Sequence, residues 1–131
     1  MLSPSMTPLW VFLGALNGLI AVAAGAYGRH GPFDDYAREM LAIASQYQIN
    51  HALALVGVAW LATWSERDRW LVTAAGTAFA LGIVLFCGSL YWFAILGTLP
   101  FAGSAPSGGV FLMLGWLAVI ILAIRAMLRR R

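Results

Sequence analysis

The sequence predicts an all-α membrane protein, built as a bundle of four antiparallel transmembrane helices with both termini in the cytoplasm. Hydrophobic residues make up 62% of the 131 residues and charged residues 10%, whereas soluble domains contain roughly 45–50% and 25%. Four long apolar runs are separated by short polar or glycine-rich segments. Because lipid offers no hydrogen-bond partners, every backbone group must pair within the protein, and such runs therefore predict helices. The lack of two-residue alternation argues against a β-barrel.

The first predicted helix spans about residues 8–28. Its apolar part rises roughly 28 Å, which matches a hydrocarbon layer of about 30 Å. Pro8 suits the first turn of a helix, and Asn17 is the one strongly polar residue inside the run. Because residues 1–8 carry no basic side chain, we expect a retained helix and not a cleaved signal peptide.

The second predicted helix, about residues 36–64, is longer than a membrane requires and has two different halves. Asp34 or Asp35 can cap its start. The first half is rich in polar side chains, whereas the second half, from position 52 to 64, is almost wholly apolar. A helix of this length must tilt, or project its first turns into water or the interfacial layer.

The third and fourth predicted helices span about residues 70–97 and 109–128. A charged turn at residues 65–69 is short enough to make the second and third helices antiparallel neighbours. An uncharged loop rich in Gly, Pro and Ser precedes the fourth helix. All four helices form one domain over residues 1–131, because a chain of this length has no room for a second domain.

Arginine supplies the whole basic charge of the chain, which has a net charge of +3. The predicted cytoplasmic side carries six arginines and the outer side two: Arg67, Arg69, Arg125, Arg129, Arg130 and Arg131 inside, with Arg29 and Arg38 outside. This asymmetry predicts that both termini are cytoplasmic, in a bacterial inner membrane. The excess follows an apolar run, so it indicates membrane orientation and not nucleic-acid binding.

Polar side chains within the second and third helices form the candidate site, because polar groups inside a membrane helix are costly. Helical spacing places Tyr47, Asn50 and His51 on one face. We expect this face to point into the bundle, where Asn17 of the first helix could meet it. The complete candidate cluster is as follows: Asn17, Tyr47, Gln48, Asn50, His51, Ser89 and Tyr91.

Two interpretations of this cluster stay open at the level of sequence. In the first, His51 is a neutral imidazole that relays protons, ligates a metal or binds a quinone or haem, with Tyr91 within bonding reach. In the second, the cluster is a buried hydrogen-bond network that holds three helices together. His30, next to Arg29 in the outer loop, is either an interfacial histidine or a partner for His51.

The sequence contains no recognisable catalytic constellation, so we expect no enzyme. Ser89 has no nucleophile-elbow pattern around it, and no phosphate-binding glycine loop is present. The single cysteine, Cys87, cannot form an intrachain disulfide. A haem-attachment motif and a third metal ligand are also lacking, and the sequence identifies no cofactor.

Four sequence segments together resemble a known family. They are Gly25-Ala26-Tyr27-Gly28-Arg29-His30-Gly31, Tyr47-Gln48-Ile49-Asn50-His51-Ala52-Leu53-Ala54-Leu55, Phe86-Cys87-Gly88-Ser89-Leu90-Tyr91, and Pro106-Ser107-Gly108-Gly109 followed by Gly115-Trp116. Their order and spacing resemble domain of unknown function 423, which is similar to the eukaryotic transmembrane protein 256. The resemblance covers about residues 9–127.

The resemblance implies a four-helix inner-membrane protein and implies no reaction. It marks a short set of motif residues: Gly25, Gly28, His30, Gly31, Tyr47, Gln48, His51, Gly88, Ser89, Tyr91, Gly108 and Gly109. Arg29 departs from the family pattern, which has a small residue at this position.

Three hypotheses for function follow from these observations. The first is an accessory or scaffold subunit, with the lipid bilayer and a larger membrane-protein complex or a homo-oligomer as partners. The second is a membrane-embedded cofactor, metal or proton site centred on His51. The third is a small-solute channel or transporter formed by an oligomer.

Overall fold

A computed structural model describes residues 5–130, and within this range the chain is helical and has no strand. The helices are α1 (Thr7–His30), α2 (Asp35–Trp64), α3 (Arg69–Gly82), α4 (Gly88–Leu96) and α5 (Ser104–Arg129). A 3-10 turn, Glu66–Asp68, precedes α3. A π-helical turn, Ile83–Cys87, joins α3 to α4. Together, α3, the π turn and α4 form one continuous helix, called the third helix. Arg131, which was counted in the predicted cytoplasmic charge, lies outside the described residues.

Local chemistry accounts for the start of α2 and for the early start of α5. The Asp34 side chain accepts a hydrogen bond from the backbone N–H of Ala37 at 2.7 Å, which caps α2. The last helix begins at Ser104 and not at residue 109. Gly103 turns the chain with a φ of 82°, and Pro106 lies in the first turn, where a missing N–H costs little.

The helices pack in the order in which they follow along the chain. α1 lies against α2, α2 against the third helix, and α3 and the π turn against α5. The apolar core lies between these pairs, and its larger members are as follows: Trp10, Leu55, Val58, Leu71, Phe79, Ile83, Leu112 and Leu122. The short connections therefore produce antiparallel neighbours, as the sequence predicts.

Two glycines allow unusually close contact between helix backbones. A Cβ atom at Gly14 on α1 would lie 2.9 Å from the carbonyl oxygen of Ala52 on α2. A Cβ atom at Gly108 on α5 would overlap the backbone nitrogen of Phe86 and lie 2.7 Å from the carbonyl carbon of Leu85. The α5 backbone thus rests directly on the π turn, which only a residue without a side chain permits.

The outer surface of the bundle is largely apolar. Leu19 on α1 is 70% exposed, and Val84 on the third helix is 69% exposed. Within the described residues, three helical stretches are long and apolar enough to cross a membrane, namely Thr7–His30, Glu66–Leu96 and Ser104–Arg129. The second helix, α2, is not among them, because its first half carries the polar and charged residues.

Candidate functional site

The inward face of α2 carries two buried polar side chains. Gln48 is 4% exposed and His51 is 6% exposed. They continue a buried stripe through Leu41, Ala44 and Leu55, which recur at the three- and four-residue spacing of one helix face. Both polar groups therefore need hydrogen-bond partners inside the bundle.

Gln48 stands in the middle of a hydrogen-bonded chain that links three helices. The Tyr91 hydroxyl on α4 donates to Gln48 Oε1 at 2.6 Å, and Gln48 Nε2 donates to Asn17 Oδ1 at 3.0 Å. Asn17 Nδ2 then donates to the carbonyl oxygen of Leu13 at 2.8 Å. Each of these three side chains therefore has a hydrogen-bond partner, and bonds arranged in series polarise and strengthen one another.

His51 is held by one bond on each ring nitrogen. Its Nδ1 lies 2.7 Å from the carbonyl oxygen of Tyr47, and its Nε2 lies 3.1 Å from Trp116 Nε1. A carbonyl only accepts and an indole N–H only donates. These partners therefore assign His51 as a neutral ring that carries its proton on Nδ1 and accepts the indole N–H at Nε2.

This geometry favours the structural interpretation of the polar cluster. The Nε2 lone pair of His51, which would bind a metal or take up a proton, is already engaged by Trp116. The predicted contact between His51 and Tyr91 does not form, because Tyr91 donates to Gln48 instead. Among the described residues, no three His, Cys, Asp or Glu side chains are grouped so that they could hold a metal ion.

Two residues of the predicted inward face were placed wrongly. Tyr47 is 45% exposed, and Asn50 is also exposed, because the buried stripe of α2 follows Gln48 and Leu55 instead. The Tyr47 ring packs at the edge of the third helix, with its centroid 4.8 Å from that of Phe86. His51 is the one member of the predicted face that lies in the buried stripe.

Ser89 is buried, and its side chain bonds the backbone of the third helix. Its hydroxyl donates to the carbonyl oxygen of Leu85, which belongs to the π turn. A π turn widens the helix and disturbs the regular i to i−4 bonding. The Ser89 hydroxyl compensates by binding a carbonyl within this turn, so its hydrogen bond stabilises the local structure.

His30 and Arg29 lie in the last turn of α1 and are exposed at the end of the bundle opposite the charged turn. The neighbouring Arg38 guanidinium donates to three carbonyl oxygens at and after the end of this helix, those of Arg29 (3.1 Å), Gly31 (3.3 Å) and Phe33 (2.9 Å). It thereby fixes the connection between α1 and α2. The alternative in which His30 pairs with His51 is not realised, because both nitrogens of His51 have other partners.

His30 opens onto a polar cleft of about 700 Å³ between α1 and α2. The cleft is lined by the following residues: Gly25, Gly28, Arg29, His30, Arg38, Glu39, Ala42, Ser45 and Gln46. Several of these are motif residues of the family that the sequence resembles. At the edge of the cleft, Gln46 Nε2 donates to Asn50 Oδ1 at 3.2 Å, and Asn50 itself lies outside the cleft lining.

Two structural partners were missed by the sequence analysis. Trp116 lies in the middle of α5 and not near an end, where tryptophans usually lie at the membrane boundary. Its central position was the available signal that the indole N–H has a partner inside the bundle. Asp68 is 1% exposed and bonds Arg125 at 2.9 Å and also Arg129. The i, i+4 spacing of the two arginines was the available signal for a shared acidic partner.

Comparison with known proteins identifies the family. The model of the family described as "Protein of unknown function (DUF423)" matches residues 24–109. A UPF0382 membrane protein of Staphylococcus epidermidis is 35% identical over 121 residues, which cover 89% of this chain and 96% of the relative. The UPF0382 membrane protein YwdK of Bacillus subtilis is 35% identical over 120 residues, covering 89% and 97%.

No solved structure matches the chain significantly. The family match includes the polar cleft, the two buried polar residues of α2 and the π turn, whereas their partners Asn17 and Trp116 lie outside the matched residues. The relatives are named membrane proteins, in agreement with the apolar outer surface. The chain is therefore a helical membrane protein that belongs to the DUF423 family.

Proposed function

We propose that this protein is an accessory or scaffold subunit of a larger membrane assembly, and that α2 presents the docking surface for a different membrane protein. The observation that carries the proposal is an exposed polar stripe on α2, here called the polar face. Its polar members are Arg38, Glu39, Gln46 and Asn50, and the exposed Ala42 lies between them; positions 38, 42, 46 and 50 follow the four-residue spacing of one helix face. Except for Asn50, these residues line the polar cleft between α1 and α2.

The depth of the polar face supports a protein partner over lipid. If Trp64 marks one membrane boundary, Asn50 lies roughly 21 Å and Gln46 roughly 27 Å along the helix from it, within a layer of about 30 Å. The two amides bond one another at 3.2 Å, which leaves further donors and acceptors on both. Unpaired polar groups in hydrocarbon are costly, and a partner with polar side chains removes this cost.

The α1 side of the same cleft also suits a neighbouring helix. Gly25 lies in the cleft wall, and small residues surround it in the run Ala23-Ala24-Gly25-Ala26. Small residues allow close approach of a second membrane helix. A transmembrane helix of another protein, carrying hydrogen-bonding side chains, fits this combination of a small-residue wall and a polar wall.

The proposed topology is four membrane spans with both termini in the cytoplasm of a bacterial inner membrane. The ion pairs of Asp68 with Arg125 and Arg129 support a placement of the charged turn and the C-terminal end of α5 on the same side of the membrane. Arginines at this end then outnumber those at the other. Cysteines introduced at Ala102 and Arg130, in a Cys87→Ala background, should react with an impermeant maleimide only from opposite sides of the membrane. Labelling from one side would contradict the topology.

Site-specific photo-cross-linking in native membranes tests the docking surface. A photoreactive amino acid at position 46 should give one protein adduct of constant mass, while the same group at position 84, an exposed apolar site, should give lipid adducts. Lipid adducts at both positions would overturn the proposal. An adduct of twice the chain mass would replace the different partner with a second copy. The cofactor-site and channel alternatives stay predictions.

A further inference from the structure

We infer that the basic end of the bundle binds the headgroup of an anionic phospholipid. The site is a cleft of about 440 Å³ between the α2–α3 turn and the end of α5. Its polar lining is as follows: Thr63, Ser65, Glu66, Arg67, Asp68, Arg129 and Arg130. This inference goes beyond the proposed function, because it requires only that the protein lies in a membrane and not that it has a protein partner.

The charge of this end favours an anion. This end of the bundle carries five arginines, at positions 67, 69, 125, 129 and 130, against two carboxylates, Glu66 and Asp68. Asp68 is buried and already pairs with the arginines at 125 and 129. Since a guanidinium has five N–H donors, Arg129 keeps donors beyond the one that reaches Asp68, and guanidinium groups bind phosphate with paired hydrogen bonds.

A buried hydroxyl in the same cleft lacks a hydrogen-bond partner. Ser65 is 6% exposed, and among the described residues its Oγ has no hydrogen bond. The backbone of Ser65 is satisfied, since its N–H donates to Leu61 and its carbonyl accepts from Asp68, each at 3.1 Å. Rotation about one bond turns the hydroxyl into the cleft that Ser65 lines, where a phosphate oxygen would accept from it.

The surroundings of the cleft identify the anion as a lipid. Trp64 and Trp70 flank the turn and are exposed, which is typical of side chains at the membrane–water boundary. Met127 and Leu128 of α5 are exposed at the same end and provide an apolar surface for acyl chains. A soluble phosphate would use the arginines alone, whereas a phospholipid would use both the charged and the apolar parts.

Native mass spectrometry of protein released from nanodiscs tests this site. The nanodiscs contain equal amounts of dioleoyl phosphatidylglycerol and dioleoyl phosphatidylcholine. The wild-type chain should retain phosphatidylglycerol preferentially, and Arg67→Gln and Arg130→Gln should each lower this retention about fivefold. Neither substitution touches the Asp68 ion pairs. Arg29→Gln, at the opposite end, is the matched control and should leave retention unchanged.

Three results would overturn the inference. Equal retention of the two lipids in the wild-type chain would exclude selectivity for the anionic headgroup. An equal loss in Arg29→Gln would show attraction by net charge and not by the cleft. Complete displacement of phosphatidylglycerol by millimolar glycerol 1-phosphate would assign the site to a soluble phosphate. Loss in the two cleft variants alone, without such displacement, would establish the lipid site.

Discussion

Two sets of polar side chains on α2 differ in how their hydrogen-bonding groups are satisfied, although they lie within one or two turns of each other. Gln48 and His51 point inward and bond side chains on α1, α4 and α5. Gln46 and Asn50 point outward, and the hydrogen bond recorded between their side chains joins them only to each other. Residue type does not separate the two sets, since amides occur in both.

The difference lies in whether the rest of the chain supplies partners. A polar group that is fully bonded inside the bundle needs nothing further, and its contribution is to hold helices in register. A polar group that remains on the outside of a membrane helix needs a partner from elsewhere. We therefore assign stability to the inner set and propose assembly as the role of the outer set.

Replacing Gly108 should produce the largest change in stability, because the close contact at this residue positions α5 and, with it, Trp116, the partner of His51. In Gly108→Ala, the added Cβ would overlap the backbone at Phe86 and push α5, with Trp116, away from the third helix. We expect the free energy of unfolding to fall by about 3 kcal/mol, measured by steric trapping in mild detergent.

The adjacent glycine is the matched control. A Cβ at Gly109 would lie 3.9 Å from the Phe86 side chain, which is an ordinary contact. Gly109→Ala should leave stability unchanged or raise it by up to about 1 kcal/mol, since alanine favours helix. Equal destabilisation by the two substitutions would contradict the close contact at position 108.

Gln48→Leu should have the next largest effect. It leaves the Tyr91 hydroxyl without its acceptor and Asn17 Oδ1 without its donor, which should cost about 2 kcal/mol of unfolding free energy. Gln46→Leu, two residues before Gln48 and on the exposed side of α2, should change the free energy of unfolding by less than about 0.5 kcal/mol. Similar losses in both variants would mean that the inner and outer sets do not differ.

A smaller effect is expected from the coupling between His51 and Trp116. A double-mutant cycle of His51→Leu and Trp116→Phe should give a coupling energy of about 1 kcal/mol in the unfolding free energy. Nitrogen NMR shifts of the wild-type ring should also show the proton on Nδ1. A ring protonated on Nε2 would rule out the assigned bond to Trp116.

The sequence predicts the helices well, because long apolar runs and the cap at Asp34 are local signals. It also identifies Gln48 and His51 as polar side chains that are energetically costly to place inside a membrane helix. It cannot choose the face of α2 that turns inward, since Tyr47 and Asn50 share helical spacing with His51. That choice depends on how α2 packs against Asn17 and the third helix.

Asn17 and Tyr91, which bond Gln48, belong to the predicted cluster, whereas the partner of His51 was beyond the sequence. Trp116 and His51 are far apart along the chain, and their contact depends on α5 approaching the third helix at Gly108. The π turn arises in an apolar run that reads as ordinary helix. Asp68 is part of a charged turn, and only the fold shows that it is buried between two arginines of α5.

The most direct test of the account compares an outer-set variant with an inner-set variant in one assay. Gln46→Leu/Asn50→Leu and Gln48→Leu are extracted gently from native membranes, and native mass spectrometry gives the mass of the assembly. We predict that the outer-set double variant loses its partner while the folded chain keeps its stability, whereas Gln48→Leu is less stable but still assembles. An intact assembly in the outer-set double variant would contradict the account.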